Sequence, residues 1–285
     1  MSPQKIAAIV MLVSMMLSAG LDINREHLMA ALRNYGLLAR ALLANFIIVP
    51  ILGVALARLF HLEEYIAIGF LLMAIAPGVP FLVRAAGRKP GGSLGFAAEL
   101  AIVMPALSIL TIPLTAGLIF PPDAQAHIPF MSLFVTLVIF QLVPLLIGLL
   151  IADRAPAVAQ KLQRPLGLLF LVAILALLVV LGPALLKAVA SVYGSRGIWA
   201  MLVIVLLSVG TGWILGGPEV RYRRTLSIAT ALRNIGTCMV IATANFPDTL
   251  VAPTVLTYFL VQLMVSIIFR AYFQRTAAAA AAQAT

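Results

Sequence analysis

RTLSIATALRNIGTCMVIATANFPD, residues 224–248, is long and apolar enough to cross a bilayer, yet Arg233 and Asn234 stand near its centre. A charge at that depth costs about 2.5–3.5 kcal/mol on insertion scales, so an intramembrane arginine needs a partner or a function. Arg233 is fourteen residues past Glu219 and thirteen short of Phe246, too far from either end to snorkel to water.

The rest of the chain reads as membrane too. Of its 285 residues 63% are hydrophobic and only 10% charged, which excludes an ordinary soluble domain and leaves room for one helical bundle. The net charge of +10 sits in short clusters between apolar runs, a topology signal and not a nucleic-acid face. The one cysteine, Cys238, excludes an intramolecular disulfide and is expected simply to pack. Met1 to Leu21 reads as a retained first span, because no A-x-A cleavage site with a polar mature region follows it.

Apolar runs of about 20 residues match a hydrocarbon core of roughly 30 Å. Nine are expected: 5–21, 35–60, 65–88, 93–119, 128–152, 162–190, 197–217, 219–246 and 249–272. Basic residues collect after the odd-numbered spans, as in Arg25 and Arg33, Arg88 and Lys89, Arg154, Lys161 and Arg164, and Arg221, Arg223 and Arg224. The positive-inside rule makes those connections cytoplasmic, with the N-terminus outside and the C-terminus inside a cell (inner) membrane.

The third span is interrupted at Pro77-Gly78-Val79-Pro80, where two prolines in four residues remove backbone donors. It reads either as a proline kink or as a helix broken at membrane depth. The eighth breaks less visibly at Arg233-Asn234-Ile235-Gly236, where Asn is a good N-cap. The two spans are five apart, an odd offset that turns one half of the chain over relative to the other, as inverted repeats do. The expected architecture is all-α and polytopic: one transporter domain over 1–275, with repeat one at 5–119, a linking span at 128–152 and repeat two at 162–272. An alanine-rich tail, 276–285, is expected to fray.

These landmarks resemble the bile acid:sodium symporter family: MMLSAGLD at Met15–Asp22, NFIIVP at Asn45–Pro50, Ala76-Pro77-Gly78, and RTLSIATALRN at Arg224–Asn234. The resemblance covers nearly the whole chain. It implies two broken helices crossing at the midplane, panel and core domains, and sodium-driven alternating access for organic anions. Two departures stand out. The family's Ser-Asn pair after Pro-Gly is replaced by Val79-Pro80-Phe81, and a bridging glutamate and a glutamine are expected where Ala229 and Arg233 stand. Asn234 is retained, and Asn45 stands where the family usually has a glutamine. Sodium is thus the cofactor the family implies, but sodium wants several oxygen ligands and an arginine repels it. Otherwise no cofactor or metal is expected.

The candidate substrate site is therefore Arg233, Asn234, Asn45, Pro77, Gly78 and Pro80, with Glu99 and Thr230 as the ion or proton site. Glu99 is the expected counter-charge of Arg233, although it also lies near enough to the cytoplasmic end to reach water or Arg88. Asn45 and Asn234, and more weakly Gln141, Gln262 and Thr230, have the bland alternative of ordinary interhelical hydrogen bonds. Arg84 snorkels as readily as it lines a site, and Arg40 reads as an anchor. His27, His61 and His127 fall in connections without metal spacing. The expected function is a secondary transporter of a small organic anion, without conventional two-sodium coupling. Competing readings are a sodium-independent carrier or channel for another solute such as a metalloid anion, and a non-transporting receptor or scaffold. A membrane enzyme would need more intramembrane acid or base pairs than Glu99 supplies. The expected partners are the anion and the lipid bilayer, with no nucleic acid; oligomeric state is not legible.

Overall fold

The computed structural model describes residues 2–23, 35–78, 92–120, 124, 128–183 and 196–283, with side chains to 277. Among them the protein is all-helical. In chain order the helices are α1 (Pro3–Leu21), α2 (Tyr35–Leu59), α3 (Glu64–Ile75), α4 (Leu94–Ile119), α5 (Phe130–Arg154), α6 (Pro156–Val180), α7 (Gly197–Leu215), α8 (Val220–Ala231), α9 (Ile235–Asn245) and α10 (Val251–Gln283). Seven are long and apolar enough to cross a membrane; α3 and α9 are shorter apolar helices. The chain is a polytopic membrane protein.

Boundaries follow local chemistry. Pro3 and Pro156 open α1 and α6 in the first turn, where a missing N–H costs nothing. Only Ala155 separates α5 from α6, so Lys161 and Arg164, expected in a connection, belong to the first turns of α6. The tail expected to fray is helical as far as Gln283, consistent with alanine's high helix propensity.

Two helices carry a π turn in mid-course, Ala44–Ile48 in α2 and Val138–Leu142 in α5, each followed directly by a Val-Pro pair. Proline cannot donate to the carbonyl four residues back and its ring crowds it; a widened turn relieves both problems. Each widened turn holds a buried amide, Asn45 in one and Gln141 in the other.

Small residues let the backbones close. A Cβ on Gly148 of α5 would strike the Leu17 carbonyl and come within 3.0 Å of Gly20 Cα on α1, and one on Gly20 would strike the Leu145 carbonyl. α1 also lies along α6 and against α9, where Gly236 meets Leu12 and Met15. α7 packs on α8, with Gly212 against Leu226 and Ser227, while α3 packs on α10 and α2. The largest buried apolar cluster runs through α1, α3, α7, α9 and α10, and a second joins α4 to α8.

Candidate functional site at the helix break

The stretch around Arg233 is not one helix. α8 ends at Ala231, Leu232 turns extended (φ −87°, ψ 127°), and α9 begins at Ile235. Asn234 caps the new helix: its side-chain oxygen accepts from the Thr237 N–H at 3.2 Å, as the sequence suggests for an asparagine there. α9 is 11 residues long, so the break lies about 17 Å, at 1.5 Å per residue, below the α9–α10 turn, near mid-membrane.

α3 ends in the same place. It stops at Ile75 rather than kinking, and Pro77 forms an antiparallel bridge with Arg233. The Asn234 N–H donates to the Ala76 carbonyl at 3.0 Å. Gly78 has φ +138°, a conformation that a side chain rarely adopts, and it lies in contact range of Pro105 on α4. Two non-helical strands at membrane depth thus satisfy part of each other's backbone. Pro80, Arg84, Arg88, His27 and His127 lie outside the described residues.

Amides from three further helices converge on this junction. Gln262 of α10 accepts from the Arg233 N–H at 2.9 Å and donates to the Arg233 carbonyl at 3.3 Å. Gln141 donates to the Pro105 carbonyl (2.7 Å) and Ser108 Oγ (2.8 Å) of α4, and accepts from Asn234 Nδ2 and the Thr237 hydroxyl. Asn45 donates to the Ala41 carbonyl at 2.9 Å and to Thr230 Oγ1 at 3.4 Å. Arg233, Asn234, Asn45, Pro77, Gly78 and Thr230 are thus brought together around one crossing.

The Arg233 side chain is 3% exposed. Its Nη1 makes two long contacts to Asn45, 3.4 Å to Oδ1 and 3.5 Å to the backbone carbonyl, whereas Nε and Nη2 have no hydrogen-bond partner among the described residues. The expected ion pair with Glu99 does not form: among the described residues no carboxylate reaches Arg233, and Glu99, 4% exposed, has Oε1 without a partner. The reason is the direction of the side chain. Arg233 extends toward α2, while the helix bearing Glu99 packs on α8 through Phe96, Ala97, Leu100 and Met104.

Sequence reading undervalues Gln141 and Gln262 and passes over Thr237 and Tyr258. The recurrence of Val-Pro after Asn45 and after Gln141 is the signal that marks Gln141. Nothing local marks Tyr258, which is buried one turn before Gln262 on α10. Cys238 packs as expected, its thiol 3.4 Å from the Leu72 carbonyl. Arg40 bonds back to the Gly36 carbonyl, and no group of three or more potential metal ligands occurs among the described residues.

A bundle of apolar helices broken at mid-membrane, with polar groups gathered at the break, defines a polytopic membrane protein. Residues 9–191 match the Sodium Bile acid symporter family, and the chain belongs to it. It is similar to the hepatic sodium/bile acid cotransporter of Rattus norvegicus, 26% identical over 94% of this chain and 77% of the relative. It is also similar to the P3 protein of Bos taurus, 26% identical over 76% of this chain but 46% of that protein. The family is one of transporters, which fits the reading of this chain as a secondary transporter and not an enzyme.

Proposed function

We propose that this protein moves a small organic anion across the cell membrane by alternating access, with the Arg233 guanidinium as a fixed charge where a coupling cation would otherwise sit. Arg233, Asn234, Asn45, Pro77, Gly78 and Pro80 form the substrate site, with Glu99 and Thr230 as the ion or proton site. The observation that carries this reading is a buried guanidinium at a mid-membrane break, with no carboxylate partner among the described residues. An uncompensated buried charge is costly, and an anion that joins it offsets that cost.

Sodium fits this site poorly. Its usual coordination requires several oxygens, whereas Ala229 offers no side-chain ligand and Arg233 would repel a neighbouring cation by about 4 kcal/mol at 4 Å and an effective dielectric of 20. An anionic cargo is supported by the rat relative, whose name is that of a sodium/bile acid cotransporter.

In the proposed architecture nine spans form inverted repeats, 5–119 and 162–272, joined by 128–152 within one domain, 1–275. α1, α5 and α6 are the panel, and the remaining helices are the core that rocks against it. A cavity of about 650 Å³ opens between Gln4 and Leu181 on the panel side and Phe246 and Asp248 on the core side. With the basic connections in the cytoplasm this cavity faces outward, and it is where the cargo enters.

The test is uptake of candidate carboxylates by the protein in liposomes under a sodium gradient, a proton gradient or neither. Uptake without sodium supports the reading; clear stimulation by sodium sinks the fixed-charge idea. Absence of any anion uptake, with no ligand-induced thermal shift, favours a non-transporting receptor.

A further inference from the structure

The free edge of the buried arginine specifies its ligand. Of the three guanidinium nitrogens, Nη1 is engaged by Asn45, and the two without partners among the described residues are Nε and Nη2. Those two nitrogens carry the parallel N–H bonds of the side-on edge, the edge that takes a carboxylate bidentately.

A third donor lies near the guanidinium. Tyr258 is one turn before Gln262, the residue that holds the Arg233 backbone, so both project from the same face of α10. The tyrosine is fully buried, its hydroxyl has no hydrogen-bond partner among the described residues, and it lies within electrostatic range of the guanidinium. A buried tyrosine hydroxyl ordinarily finds a partner, and leaving it without one is costly. Its ring leans on Phe70 with centroids 5.8 Å apart, so the wall behind the site is apolar. Arg233 and Tyr258 are both buried, so a group bound between them would be shielded from solvent.

We infer that Arg233 and Tyr258 form a buried monoanion site for a carboxylate group, bound bidentately by Nε and Nη2 and capped by the Tyr258 hydroxyl. Rested on the transport reading above, this specifies the head group of the cargo: a single planar carboxylate, fully desolvated. Chloride offers one acceptor to a two-donor edge and binds less well. A dianion brings a second charge that no described group at the site neutralises.

The experiment uses purified full-length protein in detergent, titrated with potassium acetate and, in parallel, potassium chloride, with binding read by calorimetry and by thermal shift. Acetate is expected to bind saturably and to stabilise beyond the chloride control. Tyr258→Phe should weaken acetate about tenfold, the loss of one hydrogen bond to a charged acceptor, without harming the fold, since that hydroxyl supports nothing else among the described residues. Arg233→Lys, which keeps the charge but not the paired donors, should weaken acetate further.

Acetate that stabilises no more than chloride overturns the site, as does a Tyr258→Phe protein that binds acetate like wild type. Arg233-dependent carboxylate uptake that ignores Tyr258→Phe overturns this site and leaves the transport reading standing. Acetate binding lost with both residues but without any uptake supports the site and removes the transport reading.

Discussion

Gln262 grips Arg233 by its backbone, accepting the N–H at 2.9 Å and donating to the carbonyl at 3.3 Å. A side chain on α10 thereby supplies what the interrupted helix cannot, partners for backbone groups buried in a medium without water. Gln262→Leu strands both groups and should cost about 2–5 kcal/mol. Thermal unfolding in detergent checks it; an unchanged midpoint would show that the break is held by other contacts.

Asn45 and Arg233 invite a charge test. Asn45→Asp places a carboxylate at the Nη1 end of the guanidinium, where Asn45 Oδ1 now sits at 3.4 Å. A built-in counter-ion should raise the melting temperature and compete with any added anion, lowering acetate affinity by tenfold or more. Stabilisation without loss of acetate binding would mean that the anion binds somewhere other than at Arg233.

Glu99 and Arg233 should behave as strangers. Their single substitutions to Gln, and the double, should add within about 0.5 kcal/mol in unfolding free energy. Glu99→Gln alone should not destabilise, because the buried Oε1 of the carboxyl has no partner among the described residues to lose. Recovery of an Arg233→Gln defect by Glu99→Gln would restore the ion pair that the structure does not form.

Much of this was legible in the chain. Apolar run length gave the bundle, Pro77 the end of α3, and Asn234 the cap that restarts the eighth stretch, because proline geometry and N-capping are local effects. The partner of Arg233 was not legible. Depth along the sequence put Glu99 at a plausible level, but rotation about each helix axis decides which groups meet, and rotation is fixed by packing on α2 and α8. The π turns at Asn45 and Gln141 shift that rotation by inserting a residue before each Val-Pro pair.

The α1–α5 contact is a packing constraint with its own control. Gly148→Ala drives a methyl into the backbone of α1 at Leu17 and should destabilise by about 1–3 kcal/mol. Gly167→Ala on α6, where a Cβ meets nothing within 4 Å, should be neutral or slightly stabilising. Equal effects at the two positions would refute the close approach.

In the proposed mechanism the Arg233 charge, and not sodium, draws the anion into the membrane. The most direct measurement is initial carboxylate uptake into liposomes by wild type and Arg233→Gln, each with and without an inward sodium gradient. The predicted result is wild-type uptake that is the same in both conditions and falls at least about tenfold in Arg233→Gln, as loss of a charge-assisted contact requires. Sodium-stimulated wild-type uptake, or an Arg233→Gln protein that transports as well as wild type, would contradict it.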